Sequence, residues 1–231
     1  MSIMSDEQIE PIESTVEEVS EPVLNSTGDN DEELRNFGAG IAICAILVLF
    51  VGSTFAIWNL EVTMESDFTD IKLEYAFDIE GIELEIDSDG ESDDDSVKYD
   101  DSDCDCSDTE SFFGNLKILL YLVLASGAFL AYMGHTGEKM EFSTKVIALV
   151  AVLSIIIALY TFVSLPSAWQ EDMEMENVDL KFMGSDDHSE DGVESEVKGS
   201  PGMGYLVALV PLGLSGYLIK TRGITLEDIT G

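Results

Sequence analysis

From Gly38 to Trp58 the chain runs 21 residues without a charge, and at 1.5 Å of helical rise per residue such a run matches a hydrocarbon core of about 30 Å. Three more apolar runs follow. Phe112 to Met133 carries one charge, Lys117, near its end, where a long stem can lift the ammonium to the headgroups. Val146 to Leu165 is stopped by Pro166 and followed by Trp169, read as an interfacial anchor. Met203 to Ile219 contains Pro211, Gly213 and Gly216 and ends at Lys220. The pattern predicts four transmembrane helices, at 37–58, 112–133, 146–165 and 203–219. Gly38 with Ala42 and Gly127 with Ala131 are small residues four apart, a spacing that lets helices approach closely; Ser53, Ser126, Ser154 and Ser215 are also assigned to helix contacts.

Between the runs the period drops to two. Ile71, Leu73, Tyr75, Phe77 and Ile79 alternate with Lys72, Glu74, Ala76, Asp78 and Glu80, the mark of a half-buried strand. A two-residue turn at Glu80-Gly81 would set Ile79 opposite Ile82, with Leu84 and Ile86 continuing the apolar side. Leu60, Val62 and Met64 predict a further strand directly after Trp58. Val97 with Tyr99 marks a fourth, and Val178, Leu180 and Phe182 a fifth. The stretches 87–95, 100–108 and 184–199 are too acidic to pack and are expected to stay solvated. Residues 1–36, rich in Glu, Ser, Thr, Asn and Pro, cannot bury enough apolar area to offset chain entropy and are read as a disordered acidic cytoplasmic tail.

The fold class expected is membrane α-helical: a four-transmembrane-helix bundle with a small antiparallel β-sheet built from two acidic extracytoplasmic loops, 59–111 and 166–202. A short cytoplasmic loop at 134–145 and a cytoplasmic tail at 220–231 complete the chain. Arg35, Lys139, Lys145, Lys220 and Arg222 flank the spans on one side, which places both termini in the cytoplasm of a plasma-membrane protein. Four spans, a long strand-rich first outer loop beginning at Trp58-Asn59-Leu60 and a strand in a shorter second loop give a layout, over about residues 38–222, that resembles claudin-like tetraspan proteins. The family's loop signature, Gly-Leu-Trp with two well-separated cysteines, is replaced here by Trp58-Asn59-Leu60 and by Cys104 and Cys106, one residue apart. What the resemblance implies is shape alone.

Charge adds one thing to this picture. The chain holds 47 Asp and Glu against 10 Lys and Arg, a formal net charge of -37, and no basic cluster, so nucleic acid is excluded as a partner. The segment 59–111 alone sums to -19. Such carboxylates repel one another less as salt shortens the Debye length from about 10 Å at 0.1 M to about 3 Å at 1 M. This acid-rich, lysine-poor composition resembles that of proteins from halophilic or marine archaea.

Candidate chemistry is sparse. Glu85, Asp87, Asp89 and Gly90 have the opening spacing of a calcium loop, with Glu91 beside them, but Ser96 stands where the closing bidentate Glu belongs. No cofactor is expected beyond calcium at this partial loop. Cys104 and Cys106 could be bridged, or could join His188 and nearby carboxylates around zinc. Cys44, inside the first run, reads as a packing residue. With His135 and His188 the only histidines and no Asp, Glu or His in any predicted span, neither a catalytic triad nor a proton relay is expected. The expectation is a non-enzymatic multi-pass protein, embedded in the lipid bilayer, whose acidic β domain contacts membrane or envelope proteins. The alternatives are a cation channel or transporter component with an acidic mouth, and a divalent-cation sensor.

Overall fold

The computed structural model describes residues 27–51, 55–65, 69–88, 91–101, 104–137, 140–174, 178–190 and 193–230. Four long helices, α1 (Thr27–Phe50), α2 (Ser107–Thr136), α3 (Met140–Asp172) and α4 (Met203–Thr221), are each long and apolar enough to cross a membrane. Each packs on the next, and α4 closes onto α1 to complete a four-membered bundle. Large apolar side chains such as Ile43, Ile118, Leu122, Ile155, Leu159 and Leu206 face outward. A soluble bundle would bury such residues, and an apolar exterior of this kind suits a lipid surround. A fifth, short helix, α5 (Leu226–Thr230), follows; its start is capped by Asp228, whose carboxylate accepts from the Thr225 N–H at 2.8 Å and the Thr225 hydroxyl at 2.7 Å.

The tightest helix crossing is α1 on α2, at the small residues. A Cβ on Gly38 would lie 2.4 Å from the Ala131 nitrogen, and one on Gly127 would lie 2.8 Å from the Ala42 nitrogen. The two small-residue pairs therefore face each other across one interface, as their spacing implied. Ser126, Ser154 and Ser215 are buried at helix contacts, and their hydroxyls donate back to Leu122, Val150 and Leu212 carbonyls of their own helices. Ser53 lies outside the described residues.

Six strands form one antiparallel sheet in the order β4-β3-β2-β1-β6-β5. β1 (Trp58–Glu65), β2 (Asp70–Phe77), β3 (Gly81–Ser88) and β4 (Glu91–Lys98) lie between α1 and α2 in the chain, and β5 (Gly184–Glu190) and β6 (Val193–Pro201) lie between α3 and α4. The two chain segments are joined where β1 pairs with β6, Trp58 opposite Pro201 and Val62 opposite Val197. Backbone continues the join below the sheet: the Gly202 N–H donates to the Ile57 carbonyl at 2.9 Å and the Gly204 N–H to the Ala56 carbonyl at 2.8 Å. A Cβ on Gly202 would fall 2.0 Å from the Ala56 oxygen, so this approach needs glycine.

Several expectations are corrected. The first long helix does not run over 37–58: α1 starts at Thr27, inside the tail expected to be disordered, and ends at Phe50, while Trp58 opens β1. Hydropathy cannot tell an indole in lipid from one in a sheet core, and Trp58 is fully buried against Phe77, with ring centroids 4.9 Å apart. Residues 1–26 of the expected tail lie outside the described residues. α3 does not stop at Pro166 but runs six residues further, to Asp172. A proline inside a helix costs about 3 kcal/mol, and the extension is offset by Trp169, which is buried rather than interfacial.

The β2–β3 hairpin turns over Asp78, Ile79 and Glu80, so Phe77, not Ile79, stands opposite Ile82. The Asp78 carboxylate sets that turn by accepting the Glu80 N–H at 2.5 Å and the Gly81 N–H at 2.8 Å. The acidic stretches around 87–95 and 184–199 are exposed but stranded, as β4, β5 and β6. The fifth strand expected at Val178, Leu180 and Phe182 is instead irregular chain with Leu180 and Phe182 buried; the pairing role falls to β6.

Replacing Gly127 with Leu should separate α1 from α2 and cost about 1–3 kcal/mol. Gly213, around which a Cβ meets nothing within 4 Å, should accept Ala with little change. Denaturant unfolding in micelles, followed by helical circular dichroism, measures both.

Candidate functional site

The sheet has two chemically distinct faces, fixed by strand alternation. On the inner face Trp58, Leu60, Val62, Tyr75, Phe77 and Ile82 meet the helix ends and the irregular chain before β5. Phe77 is the hub, edge-on to Trp169 of α3 with centroids 4.9 Å apart and tilted against Trp58. Phe182 extends the cluster to Tyr205 of α4 at 4.8 Å and to Phe162 of α3 at 5.6 Å. The Trp58 indole N–H donates to the Phe182 carbonyl at 3.1 Å, so the one polar atom of that ring is satisfied inside the core.

A second fastening lies beside it. Asp172, the last residue of α3, accepts the N–H of Asp108 at 2.9 Å and of Thr109 at 2.8 Å, the first turn of α2. One helix thus caps the start of its neighbour, satisfying two of the N–H groups that every helix leaves open.

The outer face carries the charge. The registers place Lys198, Glu61, Glu74, Glu85 and Asp94 in one continuous row across β6, β1, β2, β3 and β4. Like charges directly opposite each other in a sheet are destabilising. Lys72, one pair along, relieves part of this by reaching Glu74 at 2.5 Å and Glu61 at 3.4 Å. Its ammonium is held above the ordinary lysine range, first by the hydrogen bond to Glu74 and then by the charge of Glu61. The row lines an open cleft of about 790 Å³, together with Asn59, Glu83 and Ser96.

Of the residues proposed for calcium, Glu85 and Asp87 project from the outer side of β3, and Glu91 begins β4 opposite Ser88. Asp89 and Gly90 lie outside the described residues. Glu85 accepts the Ser92 hydroxyl at 3.3 Å. Among the described residues no three His, Cys, Asp or Glu side chains converge as a metal cage. The acid row was missed in the sequence because it depends on register, which brings together residues from five strands that no spacing relates.

Cys104 and Cys106 are joined by a disulfide, with Cα atoms 5.2 Å apart, just before α2. The zinc alternative with His188 is not realised by this bonded pair, and the His188 side chain lies outside the described residues. Cys44 is a free, partly buried thiol within α1. Its burial fits the packing role. Lys117 is not at a lipid edge alone: it lines a cleft of about 430 Å³ with Glu80, Asp100 and Glu110.

Tyr99 stacks on Phe113 with centroids 4.7 Å apart and donates to the Asp78 carbonyl at 3.0 Å. Burial, and secondarily the Asp78 charge, raise its phenol well above the ordinary tyrosine value. The stability tied to the neutral phenol is therefore complete below about pH 10 and is lost as the pH climbs from there toward the folded value. Tyr99→Phe should cost about 1 kcal/mol at neutral pH through the lost hydrogen bond and should flatten the alkaline loss; denaturant titrations at neutral and alkaline pH measure both. No protein-family model and no curated protein matches this sequence.

Proposed function

We propose that this chain is a non-enzymatic multi-pass protein of the plasma membrane, with both termini cytoplasmic, whose sheet stands outside the bilayer and docks a basic segment of a membrane or envelope protein. The observation that carries the reading is the row Glu61, Glu74, Glu85 and Asp94, four carboxylates in directly opposed positions, with Lys198 at its end and Lys72 as the cation that reaches into it. An arrangement that costs the isolated sheet stability is relieved when cations or a cationic surface cover it. The same logic favours a medium of high ionic strength, in which the acid row repels itself least.

The claudin-like layout is part of the proposal. It is supported by four strands between the first two long helices, by strands between the last two, and by the β1–β6 pairing that unites them. The orientation rests on the basic residues flanking the spans, and a membrane-impermeant thiol reagent added to intact cells after reduction should label Cys104 from outside.

For the docking surface, the full chain in lipid vesicles should bind a lysine-rich peptide with an affinity that falls as salt rises. Glu74→Gln combined with Glu85→Gln should weaken binding by roughly tenfold and shallow the salt slope. Equal affinity in wild type and double variant would sink the reading. Vesicles that conduct ions, with conduction lost on Pro211→Ala, would replace it with the channel reading.

A further inference from the structure

Loop-closure entropy grows with the logarithm of loop length, so a disulfide between residues two apart restrains the unfolded chain least of all. The Cys104–Cys106 bond also joins no two elements of the fold. The sheet is held to the helices by the Phe77 cluster, the Asp172 cap and the β1–β6 ladder, none of which includes either cysteine. Both cysteines line a cavity of about 190 Å³ between the inner side of β2–β4 and the end of α3, walled by Tyr75, Leu84, Val97 and Trp169. Trp169 is 4% exposed and its indole N–H has no acceptor, a donor left unused in the wall. Cys104 is half-buried, whereas Cys106 is buried and is the N-cap residue of α2.

We propose that the Cys104–Cys106 bridge is a thiol–disulfide exchange site for a dithiol protein segment whose reacting cysteine is flanked by apolar and basic residues. A partner thiolate attacks the more accessible Cys104 Sγ, the Sγ–Sγ bond breaks, and Cys106 leaves as a thiolate at the start of α2, then takes a proton from solvent. The partner's second thiolate attacks its own sulfur in the mixed disulfide, and Cys104 leaves and is protonated. The partner loses two electrons and becomes a disulfide, while the cysteine pair gains them, one pass per oxidised chain. The apolar wall selects an apolar flank, the Trp169 N–H offers a bond to a carbonyl of the partner backbone, and Asp95 and Asp105 in the cavity lining favour a cationic flank. This site lies on the opposite side of the sheet from the acid row, so its fate and that of the docking reading are independent.

The test uses the oxidised full chain in micelles with small thiols as probes, and an oxidised peptide of residues 101–109 as reference for intrinsic reactivity. Bridge opening is followed by alkylation and mass spectrometry, with rates expressed per thiolate. Relative to the peptide, the folded chain should prefer benzyl mercaptan over 2-mercaptoethanol by roughly tenfold, the worth of burying part of a phenyl ring, and the benzyl adduct should sit on Cys104. Leu84→Phe, which fills the cavity, should erase the preference; Val97→Ile serves the same purpose should the first variant not fold. A bridge that stays closed until the chain is denatured, an absent preference, a preference that survives cavity filling, or an adduct on Cys106 would each overturn the proposal.

Discussion

The molecule depends on one junction, where Phe77 packs against Trp58 and meets Trp169 at nearly a right angle. A sheet with an acidic outer face has only one side to bury, and the bundle alone has no reason to hold it. The junction solves both problems by drawing α3 past Pro166, since only the continued helix brings Trp169 under the sheet and Asp172 to the start of α2. Aromatic pairs of this kind contribute about 0.5–1.5 kcal/mol each beyond their buried area. Phe182 and Tyr205 carry the contact on to α4, so two of the four long helices, the sheet and the irregular chain before β5 meet in one cluster.

The sequence made this arrangement legible in part, and for physical reasons. β1, β2 and β3 announce themselves because each has one apolar face, and alternation is what a one-sided strand looks like. β4 shows locally only at its end, where Val97 marked a strand; its start, Ser92, Asp93, Asp94 and Asp95, is polar on both sides and takes its regularity from pairing with β3, a non-local cause. β5 and β6 are hidden the same way. The four helices are legible as apolar runs, but their ends are not: composition reads Trp58 as lipid-embedded and Pro166 as a stop, and tertiary packing overrides both. The small-residue pairs Gly38/Ala42 and Gly127/Ala131 were readable because close helix approach demands an absent side chain wherever it occurs. The disulfide was left open by its spacing, and the acid row was invisible until the register aligned it.

The distribution of acid along the sheet also follows a rule. The outermost strands, β4 and β5, present unpaired backbone to solvent on one side, and they are the strands richest in acids and serines for their length. Charge on an exposed edge discourages a second sheet from pairing with it. The apolar strand β1 sits in the middle, covered on both sides. Carboxylates that burden the outer face thus serve the edges as well, and screening them with salt weakens both effects together.

The pairing of β1 with β6 has a consequence for how the chain is made. Residues 58–65 emerge from the ribosome well before residues 193–201, and one edge of β1 must wait through the synthesis of two complete helices. Until then a nascent sheet of β1 to β4 has one bare, greasy margin, the kind of surface that chaperones recognise and that aggregates when left alone. Slow translation or truncation before β6 should therefore be harsher on this protein than its stability once complete would imply.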